Sequence, residues 1–197
     1  MRRCVLVVVG VVAWVSVAVA SDWRMQYREV TQSVVPLVCE IHQAIGCTAF
    51  SIDSANGFYA TAAHCLTIES GEAMWLDGAP LRVVFKDERL DYAVLRSDVR
   101  RPALKRASVQ PGQEVAAFGF GQGYPMFRVF TVSTPELADK DGRWFGMDKA
   151  VVGGMSGGPI IDRSGRVVGV VQLSDVFTGW SRTIQSLYAT APIYWER

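Results

Sequence analysis

Short apolar runs broken by polar and glycine-containing turns fill the chain from Val34 to Ile193. Val34–Ile41 reads as a buried strand, with Pro36 placing it near an edge or a bulge, because proline cannot donate to a ladder. Cys47–Ile52 and Phe58–Thr61 form a hairpin around Asn56-Gly57, a dipeptide suited to a two-residue reverse turn. Ala73–Leu76 and Leu81–Phe85 are joined across Asp77-Gly78, and Asp91–Arg96 follows as a further strand. Beyond it, Glu114–Phe118, Phe127–Val132, Arg143–Met147, Pro159–Ile161, Val167–Leu173 and Leu187–Ile193 repeat the style. Turns fall at Gly121-Gln122-Gly123, Asp139–Gly142 and Ser164-Gly165. No long stretch carries helical amphipathic spacing. Residues 22–32 alone suggest a short helix or arm, with Trp23 and Tyr27 available for docking. Many short strands with frequent turns predict an all-β barrel or sandwich, and periodicity does not choose between them.

The organisation follows from composition shifts. Arg2 and Arg3 precede an apolar run from Cys4 to Ala20 that ends in Ala18-Val19-Ala20, the pattern of a secretory signal peptide cleaved after Ala20. An uncleaved membrane anchor is the alternative, the run being near the short end for a span. Residues 21–100 then form one half of the fold, 101–110 a connection marked by charge and Pro102, and 111–197 a second half.

Half of the 197 residues are hydrophobic and a fifth are charged, which excludes a disordered chain. The formal net charge of +1 becomes −1 once Arg2 and Arg3 leave with the signal segment, since no acid leaves with them. A near-neutral chain gives no electrostatic case for binding nucleic acid.

The candidate chemistry centres on Gly153-Gly154-Met155-Ser156-Gly157-Gly158-Pro159. Four glycines surround a hydroxyl, and bare backbone permits close approach of a ligand. Ser156 reads as a nucleophile, with the N–H groups of Gly154 and Ser156 as donors to an oxyanion. A serine nucleophile needs a base, and the chain holds two histidines. His64 follows a strand in Thr61-Ala62-Ala63-His64-Cys65, whereas His42 reads as a surface residue. Asp91, an acid set among apolar residues, suits the orienting group. Asp87 is the fallback for that role.

In this order, Thr-Ala-Ala-His-Cys, Asp-Tyr-Ala-Val-Leu and Gly-Met-Ser-Gly-Gly-Pro resemble the chymotrypsin-like serine proteases. The text from Met147 to Ala150 and from Ile160 to Val170 is similar to the bacterial HtrA/Deg branch. No PDZ-type domain is recognisable, so regulation through one is not carried over. The resemblance, over roughly residues 33–173, implies two six-stranded antiparallel β-barrels with the active site in the cleft between them. It also implies a His64-Asp91-Ser156 triad hydrolysing peptide bonds, no cofactor and no metal. By spacing within that family, Ala150 and Val151 would floor the substrate pocket, and Gln172 or Leu173 would form a wall. No acid stands at Ala150, so small or aliphatic side chains are expected rather than arginine or lysine. Digestive members pair a newly cut N-terminus with an acid before the serine. Met155 occupies that position, so no activation by cleavage is expected.

Export permits disulfides. The two-residue turn would set residue 55 opposite 58 and bring Cys47 within one step of Cys65. Relatives often link the cysteine after the catalytic histidine to one on the preceding strand, which implies a Cys47–Cys65 disulfide and leaves Cys39 as a buried thiol. Zinc held by Cys39, His42, Cys47 and Cys65 is a rival that leaves the catalytic motifs unexplained. An α/β-hydrolase elbow matches Gly154 to Gly158 but requires a histidine after the serine, and none follows. A non-enzymatic binder on a protease scaffold is the other functional class.

Overall fold

The structure is a computed structural model that describes residues 22–39, 45–66, 74–76, 79–134, 136–140, 142–174, 179–183, 187, 189 and 191–196. The expected leader and His42 lie outside the described residues.

The described strands form two antiparallel sheets, one from each half of the sequence. The first comprises β1 (Val34–Cys39), β2 (Ile45–Asp53), β3 (Phe58–Thr61), β4 (Met74–Leu76), β5 (Ala79–Pro80), β6 (Arg82–Asp87) and β7 (Tyr92–Arg96). Their order is β5-β4-β1-β2-β3-β7-β6. The second comprises β8 (Glu114–Gly119), β9 (Met126–Thr131), β10 (Leu137–Asp139), β11 (Gly142–Met147), β12 (Pro159–Ile161), β13 (Val167–Ser174) and β14 (Gly179–Thr183). Their order is β10-β11-β14-β13-β12-β8-β9. This is the all-β, two-part arrangement expected of the chymotrypsin-like fold. Among the described residues each sheet carries seven strands where six were expected. The first gains β5, which is only two residues long.

In the second sheet the strand expected at Leu187–Ile193 does not form. Leu187 and Ala189 are helical and Pro192–Tyr194 is a 3-10 turn. This segment is held by its aromatic side chains instead of a ladder: Tyr194 meets Phe58 at 5.1 Å and Trp195 meets Phe50 at 6.4 Å, both rings of the first sheet. The strand positions are taken by β10 and β14, whose sequences lack an apolar alternation.

Pro36 lies opposite Thr48 in the β1–β2 ladder, and the Thr48 N–H turns away from β1 to the Ser156 carbonyl, so the proline stands at a pair that exchanges no ladder bond. The helix α1 (Trp23–Thr31) forms as expected, with Asp22 accepting the Arg24 N–H at its start. It docks on the second sheet. Trp23 lies edge-on to Phe127 at 5.6 Å, Tyr27 packs on Phe118 at 5.6 Å, and Trp23 Nε1 donates to Glu114 at 2.7 Å.

One apolar core joins the sheets, with Phe50, Ile52, Tyr92 and Val94 from the first and Phe118, Ile161, Val167 and Val170 from the second. Each sheet has a further core of its own, around Phe145 and Met155 in the second and around Tyr59 and Leu95 in the first. The halves are thus packed against each other through this shared core.

The β2–β3 connection differs from the expected two-residue turn. Phe50 pairs with Ala60 and Ser51 with Tyr59, and a bulge precedes the Asp53–Phe58 pair. Asp53 closes a wider turn by accepting from the Asn56 N–H (2.9 Å) and Asn56 Nδ2 (2.8 Å), a side-chain mimic of a backbone turn. The register shift would move Cys65 away from Cys47 on an extended strand. The chain instead curls into a 3-10 turn at Ala63–Leu66, and the Cys47–Cys65 disulfide forms across 18 residues. Replacing both cysteines by alanine is expected to lower the unfolding free energy by about 3 kcal/mol. The denaturant midpoint measures this, and an unmoved midpoint would contradict it.

Candidate active site

The acid arrives on the β6–β7 turn. Asp87, the fallback for the orienting role, accepts the Leu90 N–H at 3.0 Å and so builds that turn. Asp91 follows with φ +49°, a left-handed conformation uncommon outside glycine, though aspartate tolerates it better than most residues. The conformation turns the carboxylate towards the 3-10 turn that carries His64. Both oxygens are used: Oδ1 accepts the His64 backbone N–H and Oδ2 meets His64 Nδ1, each at 2.8 Å. A carboxylate beside Nδ1 places the ring proton there and leaves Nε2 as the acceptor. The hydrogen bond to Asp91 raises the His64 pKa above its ordinary 6.5; desolvation opposes this and the Asp91 charge adds to it. The side chain of His64 is 42 % exposed, so a substrate can reach it.

Gln172 on β13 reaches across from the second half. Its Nε2 donates to the carbonyls of Leu90 (2.8 Å) and Asp91 (2.7 Å), and two carbonyl partners fix which end of the amide is nitrogen. The strained turn that presents Asp91 is therefore tied to the other sheet.

The Ser156 loop approaches from the second half and lies against the His64 turn. The Thr48 N–H donates to the Ser156 carbonyl at 2.8 Å, and Cys65 Sγ lies 3.6 Å from that same carbonyl. Glycine is required where the loop touches the first half. A Cβ on Gly157 would sit 2.2 Å from Thr61 Oγ1 and 2.3 Å from the Thr48 carbonyl. Gly154 has φ +94°, and a Cβ there would meet the Phe120 carbonyl at 2.5 Å. Among the described residues, no hydrogen bond engages the N–H of Gly154 or of Ser156. Met155 is fully buried in the apolar core of the second half, so the position that carries an acid in digestive relatives is filled by packing.

A cleft of about 560 Å3 opens beside His64 and Asp91, bordered by Glu88, Arg89, Trp144 and Gln172. Of the four substrate-pocket candidates, Gln172 lines this cleft. Ala150 and Val151 are half-buried, and Val151 packs against the second core. Leu173 lies on β13, paired with Trp180 of β14. Trp144, on β11, was legible only as a strand residue, and nothing in its sequence context announced the cleft.

Cys47, His64 and Cys65 place their donor atoms together, but the S–S bond occupies both sulfurs, which removes the ligands the zinc reading needed. Cys39 ends β1.

A family model described as a trypsin-like peptidase domain matches residues 47–170. No curated protein sequence matches the chain. Among solved structures, the inactive form of the Rv3671c protease of M. tuberculosis H37Rv superposes with TM-score 0.70 at 22 % identity, covering 86 % of this chain and 92 % of that one. The MamO protease domain of Magnetospirillum magneticum gives TM-score 0.70 at 20 % identity over 83 % of this chain and 98 % of that one. The HtrA-type protease AlgW, with a decapeptide, gives 0.74 at 15 % identity over 87 % and 67 %. These likenesses establish a shared fold.

Proposed function

The chain belongs to the trypsin-like peptidases, and from that premise we propose that it is an exported serine endopeptidase acting through His64, Asp91 and Ser156. The observation that carries this reading is the paired contact of Asp91 with the backbone and ring of His64, beside a glycine loop whose two free N–H groups flank Ser156. The disulfide and the apolar segment after Arg2-Arg3 support export through the cell envelope.

The reaction runs in two halves. Ser156 Oγ bonds to the scissile carbonyl carbon while its proton passes to His64 Nε2. The carbonyl π electrons move to oxygen, and the Gly154 and Ser156 N–H groups receive the oxyanion. Asp91 holds the imidazolium and its orientation. Collapse of the intermediate breaks the C–N bond, and His64 gives its proton to the leaving amine. Water then attacks the acyl ester, losing a proton to His64, and Ser156 Oγ departs and takes that proton back. The polypeptide lies along the cleft past Trp144, with small or aliphatic residues preferred at the bond cleaved.

A fluorophosphonate probe tests the reading. Stoichiometric labelling of Ser156 is expected, and a scaffold that only binds would leave the serine unmodified. The labelling rate also reports His64. Only the neutral imidazole accepts the serine proton, so the rate is expected to fall as pH drops through a midpoint above 6.5. A flat profile down to about pH 5 would remove His64 from the mechanism. Stability follows the opposite sign. The fold favours protonated His64, so that contribution is complete below the unfolded pKa of 6.5 and is lost as pH rises through the raised value.

A further inference from the structure

We propose that Thr48, a buried residue of the first half, is the positioning residue that keeps both oxyanion donors of the second half turned towards the substrate. The inference rests on the Ser156 reading above and adds what holds that site in its working form.

No peptide bond among the described residues is cis, so each N–H points opposite the carbonyl of its own peptide unit. The orientation of a donor N–H can therefore be read from the partner of the carbonyl behind it. Behind the Gly154 N–H is the Gly153 carbonyl, which accepts from the Gln122 N–H at 3.0 Å. Behind the Ser156 N–H is the Met155 carbonyl, which accepts from the Gly158 N–H at 2.9 Å. Between the two lies the Gly154 carbonyl, and Thr48 Oγ1 donates to it at 2.8 Å. With that carbonyl fixed, the Met155 N–H turns back to the Val152 carbonyl at 3.1 Å. All three peptide units around the donors are thus pinned from behind.

Thr48 is suited to the task by the bonds it receives. Its hydroxyl accepts the Phe120 N–H at 2.9 Å, which can only donate, and so its single proton is committed to Gly154. Its own N–H holds the Ser156 carbonyl at 2.8 Å, and its carbonyl accepts from Thr61 Oγ1 at 2.8 Å. One residue thereby touches both bearers of the oxyanion donors. It is fully buried, and it adjoins Cys47, whose disulfide partner follows His64.

The clamp matters because the loop is cheap to turn. Gly153 and Gly154 rotate with little steric penalty, and a flipped peptide would aim a carbonyl at the oxyanion. Digestive relatives carry a charged pair at the position before the serine. Here Met155 is apolar and buried, and a neutral relay, Phe120 N–H to Thr48 Oγ1 to the Gly154 carbonyl, takes its place. The relay requires no cleavage event to form.

Thr48→Val keeps the shape and removes the donor. Its fluorophosphonate labelling rate and its cleavage of fluorescein-labelled casein are expected to fall about a hundredfold, the size of losing one oxyanion donor. Thr48→Ser, which keeps the hydroxyl, is expected to stay close to the wild-type rate. The acid-side midpoint of the pH profile should not move, because the His64–Asp91 contact is untouched, whereas a general loosening of the site would shift it. Wild-type rates in Thr48→Val, a Ser variant as impaired as the Val variant, or a displaced midpoint would each overturn the proposal. If Thr48→Val does not fold, Thr48→Ala is judged against the same Ser variant by the same criteria. An unlabelled wild-type Ser156 would take down the underlying protease reading and this inference with it. A labelled wild type with an indifferent Thr48→Val takes down this inference alone.

Discussion

Changing Ser156 to alanine is expected to lower turnover of an unfolded protein substrate by about six orders of magnitude while leaving the fold intact. The size follows from the way a nucleophile, a base and an orienting acid act as one unit. Without Oγ there is no acyl-enzyme, and a base with nothing to deprotonate contributes little. The intact fold follows from how the loop is held. The Ser156 carbonyl, and the loop residues beside it, are anchored through backbone groups and through Thr48, and none of those bonds uses the Ser156 side chain. Casein cleavage and the thermal unfolding midpoint are the paired measurements. Retained cleavage would move the nucleophile elsewhere, and a collapsed midpoint would mean the hydroxyl is part of the scaffold.

Asp91→Asn is expected to cost about four orders of magnitude in turnover. Both carboxylate oxygens of Asp91 face donors, the His64 backbone N–H and Nδ1. An asparagine has one oxygen and one NH2, so it must present the NH2 to one of them. Facing Nδ1, the NH2 would favour the tautomer protonated at Nε2, and the nitrogen needed to take the serine proton would already carry one. Facing the backbone, it would lose the bond that seats the 3-10 turn. The pH profile separates these outcomes from simple unfolding. With the carboxylate gone, the midpoint should move down from its raised position towards the ordinary histidine value. An unchanged rate would return the orienting role to another group.

The proposed catalytic residues could be picked out because each stands in a local pattern with a mechanistic reason. A histidine after a strand, an acid opening one and a serine among glycines can be read without coordinates. Turn spacing announced an all-β chain, and the resemblance to the chymotrypsin-like family supplied its division into two parts. The disulfide was reached by the right pair and an incomplete route: a turn closed by Asp53 shifted the register, and a 3-10 turn restored the approach. The roles of Thr48 and Gln172 were illegible because they depend on partners 106 and 82 residues away, and no local pattern encodes such a meeting. The strand expected at Leu187–Ile193 failed for a related reason. An apolar run states that a segment is buried, and here burial is achieved by rings docking on the first sheet.

The ends of the chain change sides. The helix Trp23–Thr31 rests on strands made late, through Trp23 and Tyr27, and Tyr194 and Trp195 rest on strands made early. Neither half can therefore complete itself as it is synthesised, and contacts so distant in sequence form slowly.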